Sequence, residues 1–273
     1  MSYQRRITIF GLAIFVAVAL LTAYIFVYQF EPFPAVTDLL TNLLIIITAS
    51  LTFSGTLLIL LHYHPTDKPF SIWLHFTFGV GLWLLGEIAW AWYALNLDAW
   101  GLEQVPTPGI PDLFYILGMF MFSVGLRRQY QLVNRRPLPV WMFAGFWLFS
   151  FLATALILLT FSSFTLENFT EYFYAVSEFL IGLSALYMLL SFSGGVFARP
   201  WLGMFIFGIS DALFAIANAS GLYDYSSSNG GNILTLVVDL SYLVAYLALA
   251  LGFFAQLLLM KYGPGAFLKP PKQ

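Results

Sequence analysis

The chain has 273 residues, of which 60% are hydrophobic and only 9% are charged, and its formal net charge is −2. A soluble domain carries about 25% charged residues, so this chain has too few polar side chains to cover a surface in water. These values exclude a water-soluble globular protein; we expect the lipid bilayer as its partner, and no nucleic acid. Cysteine is absent, which excludes disulfides, iron–sulfur clusters and thiol catalysis.

Apolar runs of transmembrane length follow one another along the whole chain. They lie near residues 7–30, 38–62, 70–95, 111–130, 138–162, 168–192, 200–222 and 232–260. Each is long enough to cross a hydrocarbon layer of roughly 30 Å, and lipid cannot satisfy exposed backbone groups, so we expect helices. The first run is too long for a removed signal peptide and lacks a small-residue cleavage site, so we expect it to be retained.

The predicted fold class is an all-α polytopic membrane bundle of eight transmembrane helices, forming a single membrane domain over residues 1–273. The alternative is seven spans, if 111–130 or the Ser/Gly-broken end of the sixth run fails to cross. The distribution of basic residues favours eight. In that topology one side carries every Lys and Arg: Arg5, Arg6, Lys68, Arg127, Arg128, Arg135, Arg136, Arg199, Lys261, Lys269 and Lys272.

The loops on the opposite side carry only acidic charges, at Glu31, Asp98, Glu103, Glu167 and Asp224. Cytoplasmic loops of membrane proteins hold an excess of Lys and Arg. The sequence therefore predicts a multi-pass protein of the cell membrane with both termini in the cytoplasm.

Two groups of motifs recur along the chain. The motif Glu87-Ile-Ala-Trp90 on span three matches Asp211-Ala-Leu-Phe214 on span seven. One span later, an acid is followed by a tyrosine and, 13 residues after the acid, by a glycine: Asp112, Tyr115 and Gly125, then Asp239, Tyr242 and Gly252. The pattern predicts two four-helix halves, 1–136 and 137–273, in parallel orientation because four is an even number. The alternative is chance similarity among apolar helices.

Five acids lie within the predicted spans. Glu87 and Asp211 lie past the middle of spans three and seven, Asp112 and Asp239 at the outer ends of spans four and eight, and Glu178 midway along span six. A carboxylate at the membrane centre costs about 2.5–3.5 kcal/mol on insertion scales. We therefore expect these side chains to face the interior of the bundle.

Two interpretations of these acids remain open. No Lys or Arg lies in the interior of the spans to pair with them, so they must be protonated, bind a cation or face a water-filled cavity. In the first interpretation, each acid joins two helices by a hydrogen bond with a Tyr or Asn of the next helix. In the second, the acids form a site for a ligand, a cation or protons.

Aromatic and amide side chains share helix faces with three of the acids. These faces hold Trp83, Glu87 and Trp90; Asp211 and Asn218; and Asp239, Tyr242 and Tyr246. Carboxylates bordered by aromatic rings suit a cationic or amphipathic ligand, since both favour positive charge; the alternative is an interfacial aromatic belt. The candidate ligand-binding residues are Glu87, Trp90, Asp112, Tyr115, Asp211, Asn218, Asp239 and Tyr242.

Three histidines lie on the cytoplasmic side of neighbouring spans. His62 and His64 close span two, and His75 lies one turn into span three. Such a group is a candidate metal or haem site. However, His62 and His64 are two residues apart and point to different sides of a helix, and Asp67 is the only acid that accompanies them. We interpret the histidines as interfacial polar residues and predict no cofactor.

The segment GISDALFAIANASGLYDYSSSNGGNILTLVVDLSYLVAYLALALG (208–252) resembles the membrane-embedded sensory module that precedes GGDEF/EAL domains and some histidine kinases. The matching residues are Asp211 on one helix, Gly221 and Tyr223 in a Gly-x-Tyr loop, and Asp239, Tyr242 and Gly252 on the next helix. The first half, GEIAWAWYALNL…VPTPGIPDLFYILG, is similar to a companion form in which Pro111 precedes Asp112 and Tyr115 follows. The resemblance covers spans three, four, seven and eight.

This resemblance implies a sensory function. Cytoplasmic output domains follow those modules, whereas this sequence ends 13 residues after Met260, so we expect the signal to pass to a separate cytoplasmic protein. The leading hypothesis is a non-enzymatic membrane sensor or accessory subunit. It would bind a small amphipathic or cationic ligand, or protons, at an outward-facing cluster of Glu87, Asp112, Asp211 and Asp239.

A second family, the lysoplasmalogenase-like (YhhN-like) membrane hydrolases, is similar in having intramembrane acids at two positions. Ser210-Asp211-Ala-Leu and Leu240-Ser-Tyr242-Leu resemble its second acid helix and the helix that follows. This resemblance implies a lipid hydrolase in which Glu87 and Asp211 act as an acid/base pair on water, although the family usually has Asp where this chain has Glu87. A third hypothesis is a structural subunit of a larger membrane complex, whose other subunits would be its partners.

Overall fold

The computed structural model describes residues 3–30, 34–102, 105–134, 139–161, 163–191, 199–219, 222–223 and 233–263. These residues form nine helices and no strand. The helices are α1 (Tyr3–Phe30), α2 (Pro34–Leu60), α3 (Lys68–Ala94), α4 (Leu97–Trp100), α5 (Ile110–Asn134), α6 (Val140–Phe161), α7 (Leu166–Ser191), α8 (Arg199–Ala219) and α9 (Ile233–Tyr262).

All of these helices except the short α4 are long and apolar enough to cross a membrane. The prediction of an all-helical bundle with eight spans is therefore confirmed. The predicted boundaries lie close to the observed ones: α1 begins at Tyr3 where the apolar run began near residue 7, and α5 continues to Asn134. Sequence reasoning did not predict α4, which ends at Trp100 and is capped by Gly101. There φ is +65°, and glycine avoids the strain of a left-handed backbone.

One end of the bundle, here called the basic end, carries the turn 61–67 between α2 and α3 and the basic residues Arg5, Arg6, Lys68, Arg127, Arg128 and Lys261. The opposite end is called the outer end. Arg135, Arg136, Lys269 and Lys272 lie outside the described residues, as do the acids Glu31, Glu103 and Asp224, and only the backbone of Arg199 is described. The assignment of the basic end to the cytoplasm stays a prediction.

Six of the helices pack in a closed ring. Around it, α2 contacts α3, α3 contacts α5, α5 contacts α7, α7 contacts α8, α8 contacts α9, and α9 returns to α2. Helix α1 packs outside the ring against α9, and α6 packs outside against α7. Both outer helices expose large apolar side chains such as Phe15 and Trp141, as expected of surfaces in contact with lipid.

The contacts within the ring repeat with the period of four spans. Helix α2 contacts α3 as α7 contacts α8, and α3 contacts α5 as α8 contacts α9. The contact of α9 with α2 likewise has a counterpart in that of α5 with α7. A two-fold axis along the membrane normal would generate this pattern. The division into halves 1–136 and 137–273 stays a prediction.

Aromatic side chains fill the ring in its basic half. The Trp83 ring centroid lies 4.6 Å from that of Phe122 and 4.8 Å from that of Phe207, while the rings of Phe76 and Trp201 lie 5.1 Å apart. All five side chains are buried. Because this cluster closes the ring toward the basic end, any opening in the bundle must face the outer end.

Glycines allow close approach of helices beside the acids. A Cβ at Gly86 would lie 2.5 Å from Tyr115 Cε1, so only glycine leaves room there for the Tyr115 ring, next to Glu87. A Cβ at Gly208 would lie 2.7 Å from the backbone oxygen of Glu178. Glycine therefore brings α8 against the α7 backbone at the depth of the mid-span acids.

Candidate functional site

A cavity of about 340 Å³ occupies the outer half of the ring. It extends from Glu178 and Tyr246, midway along their helices, to Thr107 and Tyr223 in the outer loops. Eight of the 13 acidic residues line it: Asp38, Glu87, Asp112, Glu167, Glu171, Glu178, Asp211 and Asp239. No Lys, Arg or His lines it within the part of the chain that the structure describes. The cavity is therefore strongly acidic, with no protein cation to balance it.

All of the candidate ligand-binding residues lie on the wall of this cavity. They come in pairs from four helices: Glu87 and Trp90 from α3, Asp112 and Tyr115 from α5, Asp211 and Asn218 from α8, and Asp239 and Tyr242 from α9. The acids of spans three, four, seven and eight thus converge, and none of their carboxylates faces lipid. The role of these residues in ligand binding stays a prediction.

Glu87 is held by two tyrosines of neighbouring helices. The hydroxyl of Tyr246 on α9 donates a hydrogen bond of 2.7 Å to Glu87 Oε1. The hydroxyl of Tyr115 on α5 is hydrogen bonded to the same carboxylate. Glu87 therefore joins α3, α5 and α9 at the depth where the aromatic cluster ends.

The acids at the starts of α5 and α9 are also held by hydrogen bonds. Asp112 Oδ1 accepts from the Tyr174 hydroxyl of α7 at 2.8 Å, and Oδ2 accepts from the backbone N–H of Gly109. Asp239 Oδ1 accepts from the Tyr223 hydroxyl at 2.8 Å, and Oδ2 accepts from the Tyr24 hydroxyl at 3.2 Å. Each carboxylate thus binds the loop before its own helix and one distant helix, as the interhelical interpretation expects.

Two further acids lie near the outer mouth of the cavity. Glu171 Oε1 accepts a hydrogen bond of 2.8 Å from Asn218 Nδ2, which links α7 to α8. Asp38 Oδ1 accepts a bond of 2.9 Å from Asn42 Nδ2 one turn along α2. Asn218, a predicted site residue, therefore contacts an acid of α7 as well as sharing a helix with Asp211.

Asp211 and Glu178 differ from the other acids in their hydrogen bonding. They are only 8% and 7% exposed, and both line the cavity. Asp211 Oδ2 is buried without a hydrogen-bond partner, and within the described residues no side chain donates to Glu178. Glu87 interacts electrostatically with both carboxylates. Three acids of α3, α7 and α8 thus surround the floor of the cavity, and two of them have unused acceptors.

In the predicted repeat, one of the two tyrosine partners of Glu87 has no tyrosine counterpart for Asp211. Tyr246, which donates to Glu87, lies 127 positions after Met119, the same offset that separates Asp112 from Asp239. Met119 is fully buried, and its thioether has no hydrogen to donate. The position equivalent to Tyr246 therefore offers Asp211 no donor, whereas the position equivalent to Tyr115, the other tyrosine partner of Glu87, holds Tyr242.

Sequence reasoning missed the contribution of α7 to the cavity. Glu178 was noted only as an interior acid, Glu171 was not considered, and Glu167 was expected in an outer loop, whereas it lies in the first turn of α7. A usable signal existed in the spacing, because residues 167, 171 and 178 fall on one face of a helix. Asp38 and Tyr174 were missed as well.

The three histidines lie at the basic end, away from the cavity. His62 and His64 are exposed, and His64 Nδ1 lies 2.8 Å from Thr66 Oγ1. His75 Nδ1 lies 2.6 Å from the backbone oxygen of Ser71. Across the described ranges, no group of three or more His, Cys, Asp or Glu side chains is arranged to hold a metal ion.

Comparison with known proteins identifies no relative of this chain. No protein-family model, no curated protein and no solved structure matches this chain. Of the Gly-x-Tyr loop on which the resemblance to sensory modules rests, Tyr223 lies on the cavity wall and Gly221 lies outside the described residues. The resemblances to sensory modules and to lysoplasmalogenase-like hydrolases stay predictions.

Proposed function

We propose that the protein is a membrane receptor module that binds an organic cation in its acidic cavity and passes the signal to a separate protein. The observation that carries this proposal is the deeply buried Asp211, whose Oδ2 has no partner among the described residues, in a cavity that these residues line with eight acids and no basic side chain. Carboxylates that line one cavity repel one another unless protons or a cation lie between them. A cationic ligand would supply the missing charge and the missing donors together.

The lining favours an organic cation over a metal ion. Divalent metals need several oxygen ligands converging on one point, and the described residues hold no such group. Aromatic side chains line the cavity from several helices, among them Trp83, Trp90, Phe207 and Tyr242. Ring faces attract cations and also bury apolar surface, so these walls suit an ammonium group attached to carbon.

Signalling requires that the ligand bind one arrangement of the helices better than another. Glu87, Glu178 and Asp211 belong to α3, α7 and α8, and a cation between them attracts all three helices toward one point. Helices α3 and α8 continue into the aromatic cluster, and all three helices reach the basic end, which we assign to the cytoplasm by its Lys and Arg content. A cytoplasmic partner would recognise the resulting change at that end.

Calorimetric titration of organic cations into the purified protein tests this function. The protein is placed in nanodiscs of zwitterionic lipid in phosphate buffer, because Tris is itself a primary amine. Asp211→Asn should weaken binding about tenfold or more, since hydrogen bonds to charged groups contribute about 1.5–3 kcal/mol. The matched control is Asp67→Asn, an exposed acid in the turn at the basic end, which should bind as wild type. Absence of binding by every cation, or unchanged binding by Asp211→Asn, refutes the proposal.

A lipid hydrolase is the second candidate, because Glu87 and Asp211 line one cavity and interact electrostatically. In that function one carboxyl group would take a proton from water and the other would donate a proton to the leaving group. Purified protein should then release product from lysophospholipids, and Glu87→Gln should abolish the release. No turnover across a broad lipid panel excludes this candidate and leaves the receptor proposal standing.

A further inference from the structure

The acids of α7 form a line along the cavity. Glu167, Glu171 and Glu178 all line it, with Tyr174 and Ala175 between the last two. With a helical rise of 1.5 Å per residue, Glu178 lies roughly 10 Å below Glu171 and roughly 16 Å below Glu167 along the axis. The cavity therefore offers negative charge at intervals over its depth as well as at its floor.

The floor has the acceptors that a primary ammonium group requires. Three acids from three helices, Glu87, Glu178 and Asp211, line it, and Glu87 interacts electrostatically with the other two. Tyr246 donates to Oε1 of Glu87, while Asp211 Oδ2 has no partner. A primary ammonium carries three N–H donors and no acceptor, whereas a quaternary ammonium has no N–H donor. Only the former can donate hydrogen bonds to carboxylate oxygens that lack a donor.

We propose that the ligand is a linear polyamine, with one terminal ammonium between Glu87, Glu178 and Asp211 and the others along the acids of α7. This inference rests on the proposed function, since it names the cation of the same site. A single positive charge would leave most of the cavity acids uncompensated, whereas a polyamine distributes several charges along its chain. The methylenes between them pass Tyr174 and Ala175, where the α7 wall offers no charge.

Length selects among the polyamines. Since C–C and C–N bonds are near 1.5 Å, an extended chain advances about 1.25 Å per bond. The distance between the two terminal nitrogens is therefore roughly 6 Å in putrescine, roughly 11 Å in spermidine and roughly 16 Å in spermine. The axial distance from Glu178 to Glu171 is roughly 10 Å and that from Glu178 to Glu167 is roughly 16 Å. Spermidine and spermine therefore bridge the floor and the mouth, and putrescine reaches the floor alone.

Titration calorimetry with three probes tests this inference in nanodiscs of zwitterionic lipid and phosphate buffer. The probes are spermidine, putrescine and choline. Spermidine should bind wild type at least tenfold more tightly than putrescine. Glu171→Gln should reduce the spermidine affinity to the level of putrescine and leave putrescine binding unchanged, because Glu171 contacts only the longer chain. Glu178→Gln should weaken both amines at least tenfold. Asp67→Asn serves as control.

The outcomes distinguish failure of the polyamine assignment alone from failure of the proposed function. If choline binds as tightly as spermidine, or if Glu171→Gln affects putrescine and spermidine equally, the polyamine assignment is wrong while the organic-cation receptor stands. If none of the three probes binds, both proposals fail. Glu171 is partly exposed, so its substitution tests the length argument even if Glu178→Gln does not fold.

Discussion

Substitution of Asp211 by asparagine should stabilise the ligand-free protein. Asp211 is 8% exposed, and its Oδ2 atom has no hydrogen-bond partner. An unsatisfied buried acceptor costs about 1–3 kcal/mol, and more when it is charged. Asparagine has the same shape and keeps a polar atom at this position, but it removes the charge and its repulsion by Glu87, so Asp211→Asn should gain about 1–2 kcal/mol. For a chain of this length that corresponds to a melting temperature higher by about 2–8 °C.

Asp239→Asn is the matched comparison, because it makes the same chemical change at an acid that is satisfied. Asp239 is 2% exposed and accepts hydrogen bonds from Tyr24 and Tyr223. Loss of a charged acceptor for two hydroxyl groups should destabilise the protein by about 1–3 kcal/mol. The two substitutions should therefore shift the melting temperature in opposite directions.

Tryptophan fluorescence during thermal unfolding measures both variants, since the chain has eight tryptophans. Wild type and variants are unfolded in the same detergent and in phosphate buffer without amines. If Asp211→Asn lowers the melting temperature as much as Asp239→Asn, then Asp211 is as well satisfied as Asp239. The reasoning from the missing partner would then be wrong, and the cation site would lose its main support.

Three other expectations concern packing, hydrogen bonding and orientation. Gly208→Ala should destabilise the protein by about 1–3 kcal/mol in thermal unfolding, because its Cβ would lie 2.7 Å from the α7 backbone. Gly145→Ala is the control and should have no such effect, because a Cβ there has nothing within 4 Å. Equal effects of the two substitutions would contradict the close packing of α7 and α8. Tyr246→Phe should cost about 1 kcal/mol by removing the 2.7 Å bond to the glutamate of α3, and an unchanged melting temperature would show that this bond contributes nothing. Because the chain lacks cysteine, a single introduced cysteine can be labelled selectively. Thr66→Cys should react with an impermeant maleimide only in inverted membrane vesicles, and Ser163→Cys should react only on intact cells. The reverse pattern would overturn the assigned orientation.

The depth of the acids in the membrane was predictable from the sequence, and so was the fact that their side chains face the interior of the bundle. A carboxylate facing lipid near the membrane centre is costly, so Glu87, Asp112, Asp211 and Asp239 had to turn inward wherever the helices packed. The structure brings all four to one cavity. The solvent supplies this constraint, which is why no knowledge of the neighbouring helices was needed.

The hydrogen-bond partners of these acids were not predictable from the sequence. Tyr24 is 215 residues from Asp239, and Tyr246 is 159 residues from Glu87. Interior tyrosines are common in this chain, which has 15 of them, and nothing in their spacing indicates which one meets which acid. The contrast between satisfied Asp239 and unpartnered Asp211 therefore appears only when the helices are assembled.

The sequence by itself determined that the solvent is lipid, that eight helices cross it and that the acids avoid it, because each of these depends on the transfer energy of a local segment. The tertiary structure decided that six helices close into a ring, that α7 adds a line of acids to its cavity, and that Asp211 Oδ2 there has no donor among the described residues. Those features depend on the rotation of each helix about its own axis. A helix that is apolar on most of its surface leaves that rotation undetermined until its neighbours pack against it.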